Sequence, residues 1–135
     1  MQFEEKTSLS KLRLASAENC LRDAKVLIDS GSFKSSANRS YYAVFHAMRA
    51  ILVFNDFDSK KHSGIISEFR KEYIKTGKIK PEISKIIDLQ FSVRTHSDYD
   101  DFYMISQEEA LQQLNDAKTA VNEIKKLLND LYRTE

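Results

Sequence analysis

The stretch Asn38-Arg39-Ser40-Tyr41-Tyr42-Ala43-Val44-Phe45-His46-Ala47-Met48-Arg49 decides how the rest of the chain is read. Its apolar residues do not alternate; they recur three and four apart, the period of a helix with one buried side. Positions seven apart lie nearly above one another, two turns along such a helix. Arg39, Tyr42, His46 and Arg49 therefore share a face, while Tyr41, Val44, Phe45, Met48 and Leu52 cover a neighbouring, more apolar one. An imidazole between two guanidinium groups is pushed towards neutrality, because nearby positive charge disfavours its protonation. Neutral imidazole accepts a proton, and an arginine fork holds phosphate or carboxylate. The competing reading makes His46 a hydrogen-bonded packing residue and the tyrosine pair core or interface material.

The same periodicity runs through the flanking sequence. A first helix is expected from about Ser8 to Ser30, with Leu14, Ala17, Leu21, Ala24 and Ile28 as its stripe and Gly31 as its left-handed stop. The second is expected over Phe33 to Phe54, followed by the turn-rich Asn55-Asp56-Phe57-Asp58-Ser59 with polar residues suited to capping. A third helix, about Lys60 to Lys75, ends at Thr76-Gly77. Pro81 suits the first position of a fourth, which frays near Tyr99. Ser106-Gln107-Glu108-Glu109 has the capping-box pattern and opens a fifth helix that runs to the C-terminus. No segment alternates like a strand. The expected fold is all-α: one domain over residues 1–135, an antiparallel bundle of four to five helices.

Composition narrows the function. The chain has 135 residues, 21 basic and 20 acidic side chains and a net charge of +1. That balance argues against a sequence-independent nucleic-acid binder of high affinity, though not against a local basic cleft. The single cysteine, Cys20, reads as a small packed hydrophobe. The acidic start, Met1-Gln2-Phe3-Glu4-Glu5-Lys6, does not resemble a signal peptide, and no apolar run approaches the roughly 20 residues that span a bilayer. A cytoplasmic location without membrane association is the expectation.

Two further stretches carry polar chemistry. In Arg94-Thr95-His96-Ser97-Asp98-Tyr99-Asp100-Asp101-Phe102-Tyr103, Arg94 and Asp98 are four apart and pair on one face. They are either a helix-end ion pair or the second wall of the His46 cleft, with Tyr99 beside Arg94. His96 falls on another face, towards solvent. The aspartates lack calcium-loop spacing, so no metal site is expected. Ser59-Lys60-Lys61-His62-Ser63-Gly64 reads first as a solvated helix entry, and second as an anion site. Phosphate-loop, dinucleotide, zinc and nucleophile-elbow motifs are missing, and no cofactor is expected.

Taken in order, these stretches resemble the HEPN superfamily, and within it a branch of small stand-alone prokaryotic proteins. The resemblance rests on Arg39-Ser40-Tyr41-Tyr42-Ala43-Val44-Phe45-His46-Ala47, on Lys60-Lys61-His62-Ser63-Gly64 with Phe69 and Tyr73-Ile74-Lys75-Thr76-Gly77, on Arg94 with Asp98-Tyr99, and on Ile105-Ser106-Gln107-Glu108-Glu109-Ala110. It extends from about Leu9 to about Leu128. It implies a helical bundle that dimerises, often paired as a toxin with a minimal nucleotidyltransferase antitoxin. Active members are metal-independent endoribonucleases using an arginine and a histidine with four to six residues between them; six lie between Arg39 and His46. The resemblance makes Arg39 and His46 the catalytic pair, with Tyr42, Arg49, Arg94, Asp98 and Tyr99 lining or regulating the cleft. Family toxins silenced by AMP carry it on a tyrosine near the motif, which points to Tyr99 first and Tyr103 second. The family motif commonly lies on a later helix, with Asn, Asp or His after its arginine; here it lies on the second helix and Ser40 follows. A non-catalytic subunit binding nucleotide or RNA for a separate transferase is the alternative. A third reading is an interaction scaffold with Tyr41, Tyr42 and Phe45 in the dimer face.

Overall fold

A computed structural model describes residues 1–134. Five α-helices succeed one another: α1 (Phe3–Asp29), α2 (Phe33–Leu52), α3 (His62–Phe69), α4 (Pro81–Tyr99) and α5 (Gln107–Arg133). No strand occurs among the described residues. α1 starts five residues before the expected Ser8. Glu4 and Glu5 lie in its first turn, where carboxylates favour the helix dipole, and the Phe3 ring packs 6.1 Å from Phe54. At its other end Gly31 takes φ 81°, and the Ser32 N–H donates back to the Leu27 carbonyl at 2.8 Å. That closes the helix as a left-handed cap should.

α2 is the central element, in contact with α1, α5, α4 and α3. Ala43, Ala47 and Ala50 are fully buried, as are Ala17 and Ala24 of α1 and Ala117 and Ala120 of α5. Small residues there let the helix axes come close enough for side chains to reach a neighbour's backbone. Ser10 Oγ donates to the Ala50 carbonyl at 2.7 Å, and Ser36 Oγ to that of Ala24 at 2.8 Å. These pairs set α1 antiparallel to α2. Ser10 also bonds the Tyr132 hydroxyl at 2.8 Å, and Lys125 pairs with Glu18 at 3.0 Å, which sets α1 antiparallel to α5. α2 and α5 thus run in the same direction. The heavy side chains Tyr41, Met48, Ile51, Leu52, Phe69, Ile124 and Leu128 fill the space between helices.

The third helix departs from a uniform coil. After Phe69 the chain continues as a π-helical turn, Arg70–Ile74, with the Lys75 N–H bonded to the Arg70 carbonyl at 2.9 Å. Phe69 and Tyr73 are both buried there, their rings stacked at 5.6 Å. Gly77, at φ 75°, ends the segment, and Pro81 opens α4. α5 opens on the expected capping box. Ser106 Oγ accepts from the Glu109 N–H and Glu109 Oε1 from the Ser106 N–H, each at 3.1 Å. Ser106→Ala is expected to cost about 1 kcal/mol, measured by urea unfolding; an unchanged midpoint would show the cap contributes nothing.

Candidate functional site

The face of α2 left uncovered between α1 and α4 carries the residues expected there. Arg39, Tyr42, His46 and Arg49 are all partly exposed, whereas Tyr41, Val44, Phe45 and Met48 are buried. The helical period sorted them by tertiary environment. Ser40, next to Arg39, is fully buried with its hydroxyl unbonded, so it takes no part in the open face.

Residues from three other elements surround this face. Arg13 of α1 donates to the Arg49 carbonyl at 3.2 Å and to Asp58 Oδ2 at 3.2 Å. Arg49 grips the same carboxylate with two donors, Nε to Oδ1 at 3.3 Å and Nη2 to Oδ2 at 3.0 Å. Asp58, expected as a cap, is instead the acidic clasp between two arginines. Burial works against its ionisation, but the hydrogen bond from Arg49, the Ser59 N–H and both guanidinium charges hold its carboxyl below the ordinary range.

His62 of α3 overturns the reading of a solvated helix entry. Its Nδ1 meets the Tyr41 hydroxyl at 2.6 Å, and its ring stacks on Phe45 with centroids 4.2 Å apart. Lys60 and Lys61 remain exposed. His46 shares Phe45 with His62, its ring 6.1 Å from that of Phe45 and 6.1 Å from that of Tyr42. The Tyr41 hydroxyl, buried between these groups, has its pKa pushed up by burial above all.

Arg94 brings α4 to the face. Its guanidinium lies over the Tyr41 ring at 5.6 Å, and Nη2 reaches the Tyr42 hydroxyl at a long 3.5 Å. Asp98 lies 3.0 Å from Arg94 Nε, so the i, i+4 ion pair forms as expected. The contact lacks hydrogen-bond geometry, however, and Nε is a buried donor with no acceptor among the described residues. Arg39 is held within α2. It donates to Asn38 Oδ1 at 2.8 Å and lies over the Tyr42 ring at 5.1 Å.

Two clefts flank the strip. One, of about 530 Å³, is lined by Phe45, Arg49, Asp58, Ser59, Lys60 and His62. The other, of about 470 Å³, lies at the start of α2, with Lys34, Asn38, Arg39, Ser97 and Asp98 in its walls. The face is basic on balance, and His46 responds to it. Its pKa is lowered first by burial, then by Arg49, Arg39, Arg13 and His62. Neutrality was expected from the neighbouring arginines; burial is the largest single cause, and the arginines follow it. His62 is also held below its ordinary value, by burial and then by Arg94.

Two expectations need correction. Tyr99 lines neither cleft and is 80% exposed. Tyr103 is half-buried and stacks on His96 at 5.5 Å. Tyr41 and Phe45, proposed for a dimer face, are 1% and 6% exposed and already used inside the chain. Arg13, Asp58 and His62 were not singled out as site residues. Arg13 reads as the wet side of a helix, and no local spacing links it to residue 58. Among the described residues no three His, Cys, Asp or Glu side chains gather as a metal cluster, and no helix is long and apolar enough to cross a membrane.

The protein is an all-helical bundle whose central helix exposes an arginine–histidine strip, walled by Arg13, Arg94 and a second histidine, His62, a set of side chains chemically able to accept a proton and hold an anion. The chain belongs to the HEPN domain family, whose pattern it matches over residues 10–128. It is 34% identical over 117 residues to a UPF0332 protein of Thermotoga maritima, covering 87% of this chain and 89% of that one. It is 33% identical over 128 residues to a Methanocaldococcus jannaschii protein named "Putative toxin MJ0142", covering 95% and 86% respectively. A second protein of that organism, "Putative toxin MJ0605", is 31% identical over 115 residues, with 85% of each chain covered.

Proposed function

We propose that this protein is a HEPN toxin-like endoribonuclease that acts without a metal, as a homodimer, and is neutralised by a nucleotidyltransferase antitoxin. The observation that carries the reading is the half-exposed His46 on a basic strip, kept neutral by burial and by four surrounding cationic or titratable side chains. A histidine sealed inside the bundle would have favoured packing alone. In the reaction, His46 takes the proton of a ribose 2′-hydroxyl. The 2′-oxygen bonds to phosphorus as the bond to the 5′-oxygen breaks, and the departing oxygen takes a proton from solvent water. The products are a 2′,3′-cyclic phosphate and a 5′-hydroxyl end. Arg39 and Arg94 stabilise the charge that builds on the phosphoryl oxygens. The Arg94 guanidinium reaches the strip over the Tyr41 ring, with Asp98 paired to its Nε. The toxin names of two relatives and the family membership support the toxin part of the reading. Tyr99, at 80% exposure, is open to AMP transfer by a partner enzyme.

The second reading is a non-catalytic subunit that binds RNA or nucleotide for a separate transferase. One observation favours it: Arg39 is turned towards Asn38 and lies over Tyr42. Incubation of total RNA with the purified protein in EDTA separates the two. Cleavage by wild type and its loss in folded Arg39→Ala support the ribonuclease. No cleavage by a folded, dimeric, AMP-free wild type ends that reading for the RNAs tested and leaves the binding subunit.

A further inference from the structure

The chain is nearly neutral as a whole, but its charge is not evenly spread. Residues 60–85 carry eight lysines and arginines against three glutamates, a net of +5 within a total of +1; the remaining residues sum to −4. This basic block is α3, the π-helical turn and the start of α4. A groove of about 510 Å³ runs between them, lined by Ser63, Ile66, Ser67, Arg70, Lys71, Lys75, Ile87, Asp88 and Phe91. Its floor is apolar, its rim is basic and its near end carries hydroxyls. That near end adjoins the candidate site. Ser63 follows His62 in sequence, and the Phe91 ring packs 6.0 Å from Tyr41. From Ser63 to Lys75 the groove extends roughly 18 Å at helical rise, long enough for several nucleotides.

We propose that this α3–α4 groove is the binding track for single-stranded RNA leading away from the α2 site. The proposal rests on the RNA reading above, in either its catalytic or its binding form. Charge complementarity selects the occupant: a polyanion whose phosphates meet the rim and whose splayed bases stack on the partly exposed Phe91 ring. A duplex keeps its bases stacked inside and makes no use of that floor. Within the groove Arg70 is already committed, through Nε to Ser84 Oγ at 2.9 Å and through Nη2 to Asp88. Lys71 is 68% exposed and only 4.0 Å contact with its neighbour Glu72 opposes it; Lys75 has no ion-pair partner among the described residues. These two lysines therefore supply the free positive charge. The π-helical turn that presents them is a feature found frequently at functional sites.

The test uses the whole protein and a fluorescein-labelled, 2′-O-methylated 12-nucleotide single strand, which binds but cannot be cleaved. By anisotropy, Lys71→Glu/Lys75→Glu is expected to weaken binding at least about tenfold, and Lys71→Gln/Lys75→Gln to reduce the slope of log affinity against log salt by about 1.4, two phosphate contacts' worth. Lys118→Glu/Lys126→Glu on α5 is the control and should change neither. The glutamine pair carries the test if charge reversal unfolds the protein. Unchanged affinity and slope in the folded groove variants, or a duplex of the same sequence bound as tightly, would overturn the proposal. Cleavage in EDTA with groove variants that bind normally would reject the track and leave the ribonuclease. Binding through the groove without cleavage would reject the ribonuclease and leave the track.

Discussion

His46→Ala is expected to lower metal-independent RNA cleavage by about 10² to 10⁴-fold, the usual contribution of a positioned general base. The loss should fall on the turnover step, because the arginines that hold the phosphate remain. The pH profile adds a sharper expectation. A base works only when deprotonated, so cleavage rises with pH through the pKa of His46. Burial and then the arginine charges hold that pKa below 6.5, so the rising limb should have its midpoint below pH 6.5. Initial rates between pH 5 and 8 at constant ionic strength check this. A midpoint at or above 6.5 would contradict a base buried among cations, and a His46→Ala variant that cleaves at the wild-type rate would remove His46 from the mechanism. The same shifts bear on folding. His46 and His62 are both harder to protonate in the folded chain than in the unfolded one. Their contribution to stability is full above about pH 6.5 and is lost as pH falls through the depressed folded values.

Phe69→Ala should be among the more damaging substitutions to the fold. Phe69 has no exposed surface and stacks on Tyr73 at the point where α3 passes into its π-helical turn. Removing a buried phenyl ring costs about 3–5 kcal/mol, from lost transfer energy and the cavity left behind. For a chain of this length that lowers the melting temperature by roughly 10–18 °C. Leu12→Ala, at a position 66% exposed, is the comparison and should stay within about 0.5 kcal/mol of wild type. Equal losses in the two variants would mean that the α3 core is not packed as described. Because the α3 helix also carries His62 against Phe45, a folded Phe69→Ala protein should lose activity as well as stability.

Much of the local structure could be read from the chain. Gly31 and Gly77 end segments at positive φ because glycine has no Cβ to clash there; Pro81 opens α4 because a first helical residue needs no N–H; Ser106 and Glu109 cap each other across three residues. The α2 face was legible for the same reason. Arg39, Tyr42, His46 and Arg49 belong to one helix, so their common side follows from its period alone, and so does the Arg94–Asp98 pair. The start of α1 at Phe3 was not legible, since Phe3 packs on Phe54, about fifty positions away. Neither was the π-helical turn, which differs from an α-turn by one residue in its hydrogen-bond ring and accompanies the joint burial of Phe69 and Tyr73.

The site as a place was decided by tertiary structure. Arg13 meets Asp58 across 45 positions, Tyr41 meets His62 across 21, and Arg94 reaches Tyr42 across 52. Periodicity reports only which residues of one helix share a side. Which helices close around that side depends on where alanines let axes approach and where Phe69, Ile51 and Leu128 fill the gaps. The sequence by itself therefore determined the helices, their caps and the chemistry displayed on α2. Packing decided that His62 and Arg94 stand beside it, that Tyr99 stands outside it, and that burial joins the arginine charges in lowering the pKa of His46.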